Sequence, residues 1–370
     1  MKKILIIGLA ICASTMLQAQ APIIKVTLLG TGVPLLNAAA LAKNGRALSG
    51  LLVEAGTERM LFDCGQGVYS RLVQSGGGSA TTNPNIGVDK VFLSHLHSDH
   101  IGDLGALFAV GALYRYTDPV NGAAADLPLR VWGPGGGTNQ PVPTFAMVQA
   151  FRLAYDTDIY VRQLFTNPND FSIFNPVVDS LNNTIELWED VVYSKNGVTV
   201  TAFQVDHRPM SPSYGFRVDY QGKSFVYSGD TTYSPTLISK AKNVDLLVHE
   251  VYGYPRADGP EIYDYHTSPE DAARVFNAAT PKQVVFTHMV TPPGTTATDL
   301  VDRTRKAGYA GPLTPGVDLM VININAGGIA IVPAADGVGI NNIPETSDYI
   351  EIHRARLRQK AANMQTGHRE

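Results

Sequence analysis

Val91-Phe92-Leu93-Ser94-His95-Leu96-His97-Ser98-Asp99-His100 is the stretch that decides how this 370-residue chain folds. Its apolar first half reads as a short buried strand, and four ligand-type side chains follow it within six positions. His95 and His97 are two apart, so along extended backbone they point the same way and can grip one ion. Asp99 and His100 fall in the next turn, within reach of a second. Imidazole and carboxylate donors suit zinc, and also iron or manganese, better than calcium or magnesium. Two such ions about 3.5–4 Å apart acidify a shared water and stabilise both the attacking and the leaving oxygen.

Four further apolar runs end the same way: Val198 to Val205 before His207, Ser224 to Ser228 before Asp230, Asp245 to Val248 before His249 and Glu250, and Val284 to Thr287 before His288. Repetition of strand followed by ligand places these side chains together at one edge of a sheet. Taken alone, a histidine at a strand end is more often a hydrogen-bonded structural residue than a ligand, and the cluster at 95–100 is what shifts that balance for His207 and His288. His249 keeps the structural reading. Asp230 also suits a helix N-cap, but Gly229 and the apolar run before it favour a metal role. Gly30 and Gly32 fit an ordinary turn, since the phosphate-cradling GxGxxG spacing is absent.

The order His-x-His-x-Asp-His, then distant His, Asp and His, resembles the metallo-β-lactamase superfamily, and in particular its ribonuclease Z and arylsulfatase-like branch. The likeness runs from about residue 23 to residue 325 and takes in several motifs in that branch's order. They are Leu29-Gly30-Thr31-Gly32 with Pro34, Phe62-Asp63-Cys64-Gly65-Gln66-Gly67, Trp132-Gly133-Pro134, Asp206-His207-Arg208 before Ser213-Tyr214-Gly215, Ser228-Gly229-Asp230-Thr231, His249-Glu250, His266-Thr267-Ser268 and Thr287-His288.

The resemblance implies an α/β fold, a four-layer αββα sandwich with helices outside and two sheets inside. It implies two Zn2+ ions, with Mn2+ or Fe as substitutes. His95, His97 and His207 would hold the first, Asp99, His100 and His288 the second, and Asp230 would bridge them. Asp99, His266 and Glu250 would serve in the chemistry, His266 oriented by Glu250 and giving a proton to the leaving group. The implied activity is hydrolysis of phosphodiesters or of aryl sulfate and phosphate esters by a metal-bound hydroxide, with β-lactam or lactone hydrolysis as the alternative. A bridging Asp230 speaks against a dedicated lactamase. Ribonuclease Z usually carries a long tRNA-binding arm between the positions matching His207 and Asp230, and here only 22 residues lie between them. A small-molecule ester is therefore the expected partner, with nucleic acid secondary.

Lys2 and Lys3 precede the apolar stretch Ile4 to Leu17, and small residues follow at Ala19 and Ala21, the layout of a secretory signal peptide over 1–21. At 14 residues that stretch is short for a membrane span. The expected protein is secreted or periplasmic, with the hydrolase domain over 22–335 and an extension over 336–370. Losing the signal takes the formal charge from −4 to −6 and leaves Cys64 as the sole cysteine, so a basic nucleic-acid face and an internal disulfide are both disfavoured.

Strands are expected near 23–29, 47–54, 59–63, 90–94, 128–132, 198–205, 214–220, 223–228, 244–249, 283–287 and 317–323, and helices over 67–75, 102–114, 268–278 and 297–307. The segment 138–190 reads as a helical, aromatic-rich insertion, either with a small core of its own or acting as a wall beside the metals. Tyr252, Tyr254, Tyr263 and Tyr265 sit where a substrate ring can stack, or else rest on neighbouring side chains. The stretch 347–365 reads as an amphipathic helix, solvated or contacting another copy in a homo-oligomer.

Overall fold

The computed structural model describes residues 21–34, 45–75, 88–109, 128–137, 140–166, 175–181, 188–254, 265–292 and 295–334. The expected signal segment up to residue 20, Tyr263 and the 336–370 extension with its helix lie outside the described residues.

Most of the apolar runs form strands buried on both faces. In the first sheet these are β1 (Ile24–Gly30), β2 (Gly50–Ala55), β3 (Glu58–Phe62), β4 (Lys90–Phe92), β5 (Arg130–Pro134) and β6 (Val177–Leu181), with β14 (Val321–Asn325) and β15 (Gly328–Val332). Its order is β15-β14-β1-β2-β3-β4-β5-β6. The second sheet runs β13-β12-β11-β10-β9-β8-β7, from β7 (Glu189–Lys195), β8 (Val198–His207), β9 (Met210–Tyr220), β10 (Lys223–Tyr227), β11 (Leu246–Tyr252), β12 (Gln283–Val290) and β13 (Leu313–Pro315).

Alternation along these strands builds three apolar layers. Val26, Val53, Phe62, Phe216 and Val248 point inward and close the space between the sheets. Their neighbours Leu29, Leu52 and Leu61 point outward, onto α1 (Val68–Ser75), α3 (Leu104–Ala109) and α4 (Thr144–Ala154). On the opposite outer face Val226, Leu247 and Val251 meet α6 (Pro235–Lys240), α7 (Pro269–Ala279) and α8 (Ala297–Lys306). The result is helix, sheet, sheet, helix, the expected four layers. α2 (Ser98–Ile101) and α5 (Asp156–Thr166) complete the elements.

Helix starts follow their caps. Ser268 accepts from the Asp271 N–H at 3.1 Å, Pro269 stands in the first turn, and Glu270 and Asp271 face the positive helix end, as the sequence leads one to expect. Of the expected helix over 102–114 the described part is α3, from Leu104, with residues 110–114 outside the described part, and the short α2 precedes it within the ligand motif. The 138–190 segment does supply helices α4 and α5. However, Met147, Val148 and Phe151 pack into the outer layer of the first sheet, and Val177–Leu181 pairs with β5 as an edge strand. What is described of the segment shares the core of the sandwich.

Candidate metal centre

β3, β4, β8, β10, β11 and β12 all finish at one rim, and each delivers a polar residue there. Beyond β4 the chain stays extended, with the Leu93 N–H donating to the Trp132 carbonyl at 2.8 Å, and sets down His95 and His97 before Asp99 and His100 enter α2. Gly65 lets this segment sit close: a Cβ there would lie 2.0 Å from the Asp99 carbonyl oxygen. His207 ends β8. Asp230 follows Gly229, which adopts φ +58° and whose Cβ would stand 2.5 Å from the Tyr214 carbonyl oxygen.

His288 arrives by a bulge. β11 and β12 pair in register up to Glu250 with Thr287, and then Val251 pairs with Met289, so His288 is the extra residue and takes φ 44°. A bulge re-aims one side chain without ending the strand. The sequence reading stopped this strand at Thr287, whereas pairing continues to Val290.

The donor atoms converge in two groups. His95 Nε2 lies 2.9 Å from His97 Nδ1, which is 3.3 Å from His207 Nε2. His288 Nε2 lies 3.1 Å, and His100 Nε2 3.5 Å, from Asp99 Oδ2. Asp230 Oδ2 stands between the groups: 3.4 Å from both His100 and His288, 3.8 Å from His207 and 3.9 Å from His95. Six of the nine histidines meet here, counting His266.

Proton accounting tests whether a cation fits. The Ser94 hydroxyl gives its proton to Asp63 Oδ2 at 2.8 Å, so its 3.0 Å contact with His95 Nδ1 is a bond donated by the imidazole. His207 Nδ1 donates to the Tyr265 carbonyl at 2.7 Å, and His100 Nδ1 to Asp63 at 2.8 Å. The Nε2 atoms of His95 and His207 are thereby left as lone pairs, and His100 turns its Nε2 toward the same space. Asp230 Oδ1 and His100 Nε2 are buried without a hydrogen-bond partner. Converging imidazole nitrogens and carboxylate oxygens, two of them buried without a partner, are the donor set that a divalent metal would take.

The two groups differ in charge. Burial pushes the His95 and His97 imidazoles below their ordinary pKa, and that of His207 down to about 4, so the first group is neutral. In the second, burial works against His100, but Asp230, Asp63 and Asp99 outweigh it and raise its pKa well above the usual value. Asp99 and Asp230 lie below the usual carboxylate range: burial would raise them, but His100 and His288 prevail.

Beside the pair, His266 Nδ1 lies 2.8 Å from Glu250 Oε1. Burial would depress this imidazole; the Glu250 carboxylate overcomes it and raises the pKa to about 9. Tyr252 lies parallel to the His266 ring at 5.6 Å, Tyr254 packs 5.5 Å from Tyr252, and Tyr265 sits 5.0 Å from His266. These tyrosines rest on one another and on the imidazoles. His249 points away, onto Phe276, and belongs to none of the donor groups.

The sequence reading gave no role at the centre to Asp63, Ser94, Ser49, Tyr227 or the Tyr265 carbonyl. Asp63, fully buried at φ 58°, takes in donors from Ser94, His100 and Tyr227. Its place right after a strand, in Phe62-Asp63-Cys64-Gly65, was the available signal.

The chain is similar to several known proteins. A metallo-β-lactamase superfamily profile matches residues 45–125, and a β-lactamase superfamily domain profile matches residues 154–289. Ribonuclease Z from Mycolicibacterium paratuberculosis is 34% identical over 277 residues, covering 72% of this chain and 86% of that protein. The chain belongs to the metallo-β-lactamase superfamily. Within it the chain is ribonuclease Z-like: ribonuclease Z from Mycobacterium sp. (strain KMS) is also 34% identical, over 84% of this chain and 99% of that protein. Human tRNase Z, short form, shares the fold with a TM-score of 0.56 at 22% identity, covering 81% of this chain and 99% of that one. The metallo-β-lactamase fold protein YhfI from Bacillus subtilis does so with a TM-score of 0.54 at 23% identity, over 80% and 98%. Family membership makes the protein a metal-dependent hydrolase.

Proposed function

We propose that the protein is an exported phosphodiesterase that works with two zinc ions. The observation that carries this reading is Asp230 Oδ2, within 3.9 Å of four imidazole nitrogens drawn from both donor groups. His95, His97 and His207 would hold one ion and Asp99, His100 and His288 the other, with Asp230 shared. The ions would supply Lewis-acid polarisation of the phosphoryl oxygens and acidify the attacking water.

The chain's own residues do the rest. Glu250 fixes His266 through Nδ1, so that Nε2 is the atom left to deliver a proton to the departing oxygen. Tyr252 lies along one face of that ring and narrows its motion.

The relatives' name, ribonuclease Z, supports an RNA phosphodiester and weighs against a purely small-molecule ester. β9, a turn at Gln221-Gly222 and β10 use up nearly all of the chain between His207 and Asp230, so an arm for folded tRNA has no place there. Short RNA ends and small phosphodiesters are accordingly the proposed substrates, with aryl sulfates second because they share a tetrahedral anionic centre. A panel of bis-p-nitrophenyl phosphate, short RNA, a tRNA precursor, an aryl sulfate, a β-lactam and a lactone on one zinc-loaded preparation tests this. Turnover of the β-lactam or lactone above that of every phosphodiester would overturn it. Export rests on the 1–21 pattern, and mass spectrometry of the mature amino terminus checks it: a chain beginning at Met1 inside the cell defeats it.

A further inference from the structure

One hydroxyl behind the donor atoms ties the two sheets together. Tyr227, at the end of β10, is buried and donates to Asp63 Oδ2 at 2.8 Å. A carboxylate only accepts, so the single phenolic proton is spent there. The 2.9 Å contact between Tyr227 and Ser49 is therefore donated by the serine.

Two branches leave this hydroxyl. Through Asp63 it reaches His100 Nδ1, and through Ser49, whose backbone N–H donates to the Asp99 carbonyl at 3.1 Å, it reaches Asp99. Both end on the second donor group. The first group is touched only one link further on, through Ser94 and His95. Tyr227 itself lies three residues before Asp230, so it couples the strand bearing that carboxylate to the loop bearing Asp99 and His100. Without the hydroxyl, the fully buried Asp63 would lose one of its donors and Ser49 its acceptor.

We propose that Tyr227 is a positioning residue for the second metal, acting through Asp63 on His100 and through Ser49 on Asp99. This rests on the dinuclear reading above. Partners behind metal ligands are worth about 10–100-fold in affinity. The test starts from zinc-loaded protein dialysed against buffers of falling free Zn2+, with bound zinc counted per chain. In Tyr227→Phe, the release step that His288→Ala abolishes should move to about 10–100-fold higher free zinc, and the other should shift by less than about threefold. Tyr214→Phe is the control, because it removes another buried phenol hydroxyl, bonded to the Leu181 carbonyl at 2.8 Å. It should leave both steps in place. Ser49→Ala should move the same step as Tyr227→Phe by less, and stands in if the Tyr227 variant does not fold. No movement of that step, equal movement of both steps, or the same loss in Tyr214→Phe overturns the inference. Fewer than two zinc ions on the parent protein would instead defeat the dinuclear reading itself.

Discussion

Glu58 at the start of β3 and Asp230 just beyond β10 are both buried carboxylates, and their surroundings are opposite. Glu58 accepts from Lys90 at 2.9 Å and from the Tyr193 hydroxyl and Asn196 amide at 2.6 Å each. Asp245, just before β11 at the same rim, accepts from Lys282 at 2.8 Å and the Ser224 N–H at 2.9 Å. Asp230 faces imidazoles and leaves Oδ1 without a partner, and Glu250 Oε2 and Thr287 Oγ1 at that rim are likewise orphaned. The Glu58 carboxylate is satisfied by the chain itself, whereas Asp230 keeps acceptor capacity that a cation would use. Unanswered polarity inside a well-packed fold is thus a pointer to function.

The contrast is broken most severely at Asp230. Asp230→Ala should cost more in turnover than the roughly 10–100-fold seen when a partner behind a metal ligand is lost, and remove one of two ions. Elemental analysis alongside kinetics reads both, and two ions with near-normal rate would refute the bridging role. His266→Ala should slow substrates with poor leaving groups by about 10^2-fold and nitrophenyl esters far less. Equal losses on the two substrate types would exclude proton donation. Chelation should lower the melting temperature, because ions held at 100-fold above their dissociation constant stabilise the fold by about 2.7 kcal/mol. Calorimetry with and without chelator measures this, and an unchanged melting point would leave the donor cluster without a ligand.

The smallest effect belongs to Glu58. Glu58→Gln should destabilise the fold by about 1–2 kcal/mol at neutral pH and leave metal content intact. Burial raises the Glu58 pKa, but Lys90, Tyr193 and Asn196 overcome it and set the carboxyl below its usual value. Its stabilisation is therefore present above the ordinary glutamate pKa of about 4.3 and fades as pH falls through the lower folded value. Urea midpoints against pH should show parent and variant converging in acid. Parallel curves would mean that the carboxylate contributes nothing through its charge.

Much of this was legible before the fold. Val284 to Thr287 is buried on both faces and Val198 to Val205 alternates buried apolar with half-buried polar residues, so both announce strands, and ligand-type residues stand at their ends. β6, β7 and β15 were not legible, because Val177–Leu181, Glu189–Lys195 and Gly328–Val332 are edge strands with exposed positions and polar or glycine interruptions. The bulge at His288 was hidden too, since register slips depend on the partner strand. Asp63 and Tyr227 were given no role for a different reason: a buried acid or phenol at a strand end has no periodic signature, and only its partners reveal its work.

The course of β8, β9 and β10 carries a practical consequence. His207 closes β8 beside the donor cluster, the chain turns through Arg208 and Pro209, and β9 then runs away so that Gln221-Gly222 lies at the far end of the sandwich. Anyone grafting a recognition module onto this scaffold would find the glycine hairpin permissive and useless. An insertion at Arg208-Pro209, next to His207, would instead place the graft beside the donor cluster.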